Sequence, residues 1–329
     1  MRQAPTRGKY KRSIRARWSF KEINISDQSI IKFPDVIIAG APKCGTTSVF
    51  EWLAAHHQVC GSSVKETYFL MDKDSPLYIR GSSYNDIGPV GYDKYFSHCK
   101  ENSSLLVEAT PDYLYQKTPL SVIANTHKPV KVVFILRKPS DRVYSTYRFF
   151  TGNKSIFDQH ISFAEFIRTV KYQEGPTNHP LWPLIANAIR YSEYIRYLIE
   201  WEIALGRNNM AIYTYEEMLK SPARMMKNLS DMLCIDSEFY SDYDFPAHNQ
   251  SYAVKSIKLH RLKTHVASLM PNSRLKARLG KLYSGLNTTA QSLPMEASDA
   301  KAMEGLDRHF SATNAELASH FNLDLSAWD

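Results

Sequence analysis

The sequence predicts an α/β protein, a central parallel sheet flanked by helices in three layers. Three observations carry that reading. Val36 to Ala39 is a short, unbroken apolar run of the kind that fills strands buried on both faces, and Val130 to Leu136, apolar but for Lys131, is a second such pattern. Each runs into a helical pattern, from Thr46 and from Pro139, and strand–helix alternation is what builds parallel sheets. Met210 to Tyr215 reads as a further strand, and Ser221-Pro222 then places proline in the first turn of a helix running towards Leu233.

The loop after the first strand is the most informative segment. Gly40 and Gly45 bracket Ala41-Pro42-Lys43-Cys44, and Thr46-Thr47-Ser48 opens a helix carrying Val49, Phe50, Trp52 and Leu53. Free backbone N–H groups at a helix start and the positive end of its dipole make an anion site, to which Lys43 and the threonine hydroxyls add a charge and donors. A nucleotide triphosphatase loop needs Gly-x-x-x-x-Gly-Lys-(Ser/Thr). Here Thr46 stands where that lysine belongs, and Lys43 lies inside the loop.

The second strand ends in Arg137-Lys138-Pro139-Ser140-Asp141-Arg142, with proline starting a helix that carries Val143, Tyr144, Tyr147 and Phe150. A triphosphatase would place a magnesium-binding aspartate near this position. Arg137 at the strand tip and Ser145 about two turns into the helix are set to converge on one anion, by a guanidinium fork and a hydroxyl.

In these two motifs, taken in order, the chain resembles the sulfotransferases that use 3′-phosphoadenosine 5′-phosphosulfate (PAPS). In that family a Pro-Lys-x-Gly-Thr-(Thr/Ser) loop binds the 5′-phosphosulfate, and an Arg-x-Pro strand end with a serine eight positions on binds the 3′-phosphate. Pro42, Lys43, Cys44, Gly45, Thr46, Thr47 and Ser48 stand at the first site, and Arg137 with Ser145 at the second. The resemblance runs from Phe33 to the C-terminus and implies a P-loop-like fold. Val64 to Phe69 looks like the Lys-Glu-x-x-Phe-Phe segment of the glycan-modifying, heparan-sulfate-type branch, where the glutamate is the catalytic base. Glu108-Ala109-Thr110-Pro111-Asp112-Tyr113 resembles its Glu-Lys-Ser-Pro-x-Tyr motif, with Ala109 replacing the lysine. Lys255 falls where related enzymes carry a basic loop over the nucleotide. The small-molecule cytosolic branch instead uses a histidine base and a Gly-rich C-terminal segment ending in Trp-Lys, and this sequence has no such segment.

The resemblance thus implies sulfuryl transfer from PAPS to a hydroxyl or amine of a carbohydrate or small-molecule acceptor. Lys43 would stabilise the departing phosphate oxygen and Glu66 would take the acceptor proton, with no metal needed. Two alternatives stand beside it: a nucleotide-dependent phosphotransferase on the same scaffold, and a nucleotide- or glycan-binding protein without turnover. His98 is a second candidate base, and Arg142 reads as a helix-surface arginine paired with a carboxylate.

Composition sets the frame. The chain has 329 residues, enough for one large domain from 33 to 329 behind a basic tail, 1–32. That tail holds nine Lys/Arg against two acids, so +7 of the net +8 lies there and the body is near neutral. A basic tail of this sort is expected to be a solvated arm, not evidence for nucleic acid as a partner. Cys44, Cys60, Cys99 and Cys234 show neither metal spacing nor a secreted disulfide pattern. With no apolar run resembling a signal peptide or membrane anchor, the expected location is cytoplasmic. Asn187 to Gly206 is predicted as one amphipathic helix, residues 256–286 as a basic helical segment, and Phe310 to Trp328 as a closing helix whose tryptophan packs back on the fold.

Overall fold

The computed structural model describes residues 32–100, 105–153, 156–157, 161–247, 253–254, 288–289 and 297–329. Five strands form one parallel sheet: β1 (Val36–Gly40), β2 (Val59–Gly61), β3 (Leu105–Ala109), β4 (Lys131–Leu136) and β5 (Met210–Thr214), in the order β2-β3-β1-β4-β5. Val36 pairs with Val107 on one side and Lys131 on the other. All five residues of β1 are buried, as an unbroken apolar run in a covered central strand should be. A two-residue antiparallel pair, β6 (Ala253–Val254) with β7 (Thr288–Thr289), is separate from this sheet.

The strand order fixes where a ligand belongs. From β1 the chain moves to β2 and β3 on one side of the sheet, then to β4 and β5 on the other. The order therefore reverses between β1 and β4, and open parallel sheets bind ligands beyond the carboxyl ends of the strands at such a reversal. Both anion-binding motifs lie at that point.

Helices flank the sheet: α1 (Thr46–Ala54), α2 (Lys117–Ala124), α3 (Pro139–Arg148), α4 (Phe163–Tyr172), α5 (Ile195–Leu205), α6 (Pro222–Leu233) and α7 (Ala297–Phe321). The main core joins the strands to Val49, Phe50, Trp52 and Leu53 of α1, Leu198 and Trp201 of α5, and Met225, Met226 and Leu229 of α6. A second core gathers Val143, Phe150, Phe163, Phe166, Trp182 and Ile185. α7 serves both, with Leu306 and Phe310 in the second core and Leu317 and Phe321 in the first. Trp328 packs back as expected, donating from Nε1 to a Glu216 carboxylate oxygen at 2.8 Å. Among the described residues no helix is long and apolar enough to cross a membrane.

Three expectations are revised. The helix predicted from Asn187 begins only at Ile195, after a 3₁₀ turn at Arg190–Ser192. The Ala188 carbonyl, which a continuous helix would use, instead accepts from the Arg142 guanidinium at 3.2 Å and the Ser192 hydroxyl at 2.9 Å. The closing helix starts earlier than predicted and ends at Phe321. Cys60 and Cys99 form a disulfide, with Cα atoms 6.0 Å apart, leaving Cys44 and Cys234 free; 39 residues separate the pair in sequence, so only the tertiary fold reveals it. The 1–31 part of the tail, Lys255 and the basic 256–286 segment lie outside the described residues. Lys32, assigned to the tail, is bonded to the folded body through Asp93 and the carbonyls of Phe96 and Cys99.

Candidate active site

The loop after β1 is shaped by two left-handed residues, Lys43 (φ 71°) and Gly45 (φ 85°). Gly45 is required twice over. Its φ is costly for other residues, and a Cβ there would lie 2.7 Å from the Met218 methyl and 2.9 Å from the Tyr215 ring. The loop is held from below by Arg142, whose Nε donates to the Pro42 carbonyl at 3.1 Å while Nη1 reaches the Ser192 hydroxyl at 2.8 Å. Arg142 is thus a buried brace and not the surface ion-pair partner expected from sequence. Its donors are taken by uncharged oxygens of the loop and of the turn before α5. Cys44 faces inward, its thiol pushed up to about 11 by burial, so its place in the loop concerns its backbone. Thr46 and Ser48 are buried at the start of α1, with Thr47 partly exposed.

Lys43 points its ammonium over the Phe149 ring, 4.2 Å from the centroid. Burial lowers its pKa, partly offset by the attraction of Glu66. A partly desolvated ammonium is a stronger electrostatic partner for an anion than one in bulk water.

Arg137 follows β4 and neighbours Asp141, with 3.6 Å between Nη2 and Oδ2. Its guanidinium lies 4.9 Å from the centre of the Tyr215 ring, and its carbonyl accepts from the Tyr194 hydroxyl at 2.9 Å. The buried Nε has no hydrogen-bond partner among the described residues. An orphaned buried donor is costly and rare; an anion at the strand tip would satisfy it. Ser145, buried on α3, stands one helical turn beyond Asp141 and so shares the face nearest Arg137. The residues present therefore fit a ligand carrying two separate anionic groups, one at each strand tip.

Glu66 lies in the segment after β2. Lys65 Nζ is 2.6 Å from its Oε1, and the Tyr68 hydroxyl donates to Oε2. Burial would raise this carboxyl, but the Lys65 charge and both hydrogen bonds outweigh it and hold the pKa below the ordinary value. The segment is clamped from behind by Glu108, fully buried at the end of β3. Glu108 accepts from Thr67 at 2.5 Å, Thr110 at 2.7 Å and Tyr92 at 2.7 Å. Burial raises the Glu108 pKa against the pull of those hydroxyls. Lys43 and Glu66 are thus within electrostatic reach of each other. His98 is not brought there: it is exposed beside the disulfide, Nε2 3.6 Å from the Cys60 sulfur.

Asp112 lies near enough to Glu66 to feel its charge, and no motif in the sequence marks it. Its carboxyl is raised to about 7, first by burial and then by the nearby Glu66 charge. Tyr194 and Tyr215, which touch Arg137, carry no local sequence signal, being ordinary aromatic positions until the fold brings them to the strand tip.

Comparison with known proteins shows the family and the fold. Residues 33–266, more than half of the chain, match the family profile described as a sulfotransferase domain. The chain is 30% identical over 122 residues to the membrane-associated sulfotransferase kil1 of Dictyostelium discoideum, covering 36% of this chain and 24% of that protein. It is 23% identical over 215 residues to Sulfotransferase 2A1 of Rattus norvegicus (64% and 63%) and 23% over 219 residues to human heparan sulfate glucosamine 3-O-sulfotransferase 3A1 (65% and 48%). Each match therefore spans less than two thirds of the relative's length. The fold is shared with a sulfotransferase from Alicyclobacillus acidocaldarius, at a TM-score of 0.61 and 19% identity over 90% of this chain and 98% of that one. The protein described here belongs to the sulfotransferase family.

Proposed function

We propose that the protein transfers the sulfuryl group of PAPS to a hydroxyl or amine of a carbohydrate acceptor. The observation that carries this is the pairing of two anion cradles at adjacent strand tips, one of them holding a buried Arg137 donor with no partner among the described residues. Arg137 and Ser145 bind the 3′-phosphate; Pro42 to Ser48 bind the 5′-phosphosulfate with the amides at the start of α1. Tyr215, beside both, is placed to contact the nucleoside between the two anions.

Glu66 accepts the acceptor proton as the acceptor oxygen or nitrogen forms its bond to sulfur. The sulfur–oxygen bond to the phosphate breaks, and the electron pair leaves on the phosphate oxygen. Lys43, partly desolvated, stabilises that charge as it develops. Glu66 then releases the proton to solvent. Resting contacts with Lys65 and Tyr68 keep it ionised and ready at neutral pH. A phosphotransferase is the weaker reading, since Arg137 stands where that chemistry needs a metal-binding carboxylate. A carbohydrate acceptor follows the glycan-modifying pattern of residues 64–69 and agrees with the match to a heparan sulfate 3-O-sulfotransferase. On location, the Cys60–Cys99 bridge argues for oxidising surroundings over the cytoplasm.

Single-turnover transfer from PAPS tests the two roles. Lys43→Ala and Glu66→Gln should each lower the rate by at least about 10²-fold, with Glu66→Gln retaining its affinity for 3′-phosphoadenosine 5′-phosphate (PAP). Wild-type rates in either variant would remove that residue from the mechanism.

A further inference from the structure

A group of side chains beside the cleft has no part in the donor chemistry. Asp112 and Tyr115 lie three residues apart on the 3₁₀ turn Pro111–Tyr115, a spacing that eclipses them along one edge. The Tyr115 ring stacks on Tyr191, centroids 4.0 Å apart and planes 8° from parallel. Its hydroxyl donates to the Tyr191 carbonyl at 3.0 Å. Tyr197 meets both rings edge-on, 4.9 Å from Tyr115 and 6.1 Å from Tyr191. Tyr191 is thereby fixed in place while remaining partly exposed.

This stack is joined to both halves of the reaction. Arg142, the brace under Pro42, lies 5.7 Å from the centre of the Tyr115 ring. The Glu66 charge acts on Asp112, and the Asp112 charge acts on Tyr191. Tyr191 thus offers a rigid, partly exposed ring, and Asp112 lies on the same turn as Tyr115, on which Tyr191 stacks; an aromatic ring with a carboxyl group nearby is suited to the apolar face of a sugar ring and one of its hydroxyls.

The charge of the surroundings narrows the class. Asp74 also acts on Tyr191, as does the cation Arg190. Asp74 lines a neighbouring cavity of about 350 Å³ together with Asp72, Lys73 and Lys117; the Asp72 carboxylate accepts from the Lys117 and Thr118 amides at 2.9 Å and 2.7 Å. Lys65 is engaged with Glu66, and Arg142 is buried on backbone carbonyls and Ser192. Among the described residues the charges around Tyr191 are therefore mixed in sign, where a polyanionic chain would be matched by a run of cations.

We propose that Tyr191 is the stacking platform, and Asp112 the hydrogen-bond acceptor, of a subsite for an uncharged polyhydroxylated ring, an inference that rests on the sulfuryl-transfer reading above. The test uses the full chain with PAPS and two probe sets: p-nitrophenyl β-glucopyranoside and cellobiose, against a heparin-derived tetrasaccharide. Transfer to the uncharged set should be faster by about tenfold or more. Tyr191→Ala should raise KM for those probes about tenfold with kcat little changed, and Tyr191→Trp should restore it. Faster transfer to the heparin fragment, no transfer to the uncharged set, or an unchanged KM in Tyr191→Ala overturns the inference. PAP titration of the same proteins separates the two failures: retained PAP binding leaves the donor reading standing, and absent binding removes it.

Discussion

Lys43, Glu66 and Asp112 are three ionisable groups whose surroundings pull them in different directions. Burial weakens the proton affinity of Lys43, the Lys65 and Tyr68 contacts lower Glu66, and burial with a neighbouring carboxylate raises Asp112 to about 7. Carboxyls pushed apart in this way divide their roles: Glu66 is ionised throughout the neutral range, whereas Asp112 gains its charge within it. For Asp112 the folded state holds a proton that the unfolded chain, near 3.8, has released. Its contribution to stability is therefore present at low pH and lost as pH rises through about 7. Asp112→Asn should be more stable than wild type at pH 8 by on the order of 1–3 kcal/mol, and nearly equal to it at pH 4. Thermal unfolding at both pH values checks this, and an equal gap at the two would contradict it. At this scale the sequence displays Lys43, Arg137, Ser145 and Glu66 because each stands in a short motif. Arg142 and Asp112 stay hidden because their importance comes from burial and from neighbours far away in the chain.

The segment from Glu66 to Leu70 depends on Glu108 as an element depends on its support. Besides Thr67, Thr110 and Tyr92, the network takes in Tyr113, whose hydroxyl accepts from the Leu70 amide at 3.0 Å. Glu108→Ala would leave several buried hydroxyls short of an acceptor and should cost about 2–4 kcal/mol. Turnover should fall with the displaced Glu66, while PAP affinity, seated at β1 and β4, stays near wild type. Urea unfolding together with PAP titration measures both effects; a loss below about 0.5 kcal/mol would mean the network is not needed. β1, β4 and β5 are legible because each is mostly apolar, with Lys131 and Thr214 only at strand ends. β3 is not, because Glu108 breaks its pattern, and β2 has only three residues, Val59–Gly61, too few for a period to register. The break before α5 is equally invisible, since the Arg142 bonds that cause it are tertiary.

Across the whole molecule, the parallel sheet sets the two anion sites side by side, and the disulfide ties the β2 edge to the segment bearing Tyr92 and Tyr95. Native protein without reductant should show one readily titrated thiol, the exposed Cys234; unfolding should release buried Cys44 as a second, and reduction should bring the total to four. Four thiols in denaturant alone would rule out the bridge. The general architecture was readable because strand–loop–helix units are local, whereas the bridge and the aromatic stack join residues that only the fold brings together. A donor site with two anion cradles should take PAP in preference to ATP. Calorimetric titration with PAP, set beside ATP with magnesium, should show tight PAP binding that Arg137→Ala weakens at least about tenfold; binding of ATP with magnesium and none of PAP would mean that the two cradles do not form a PAPS site.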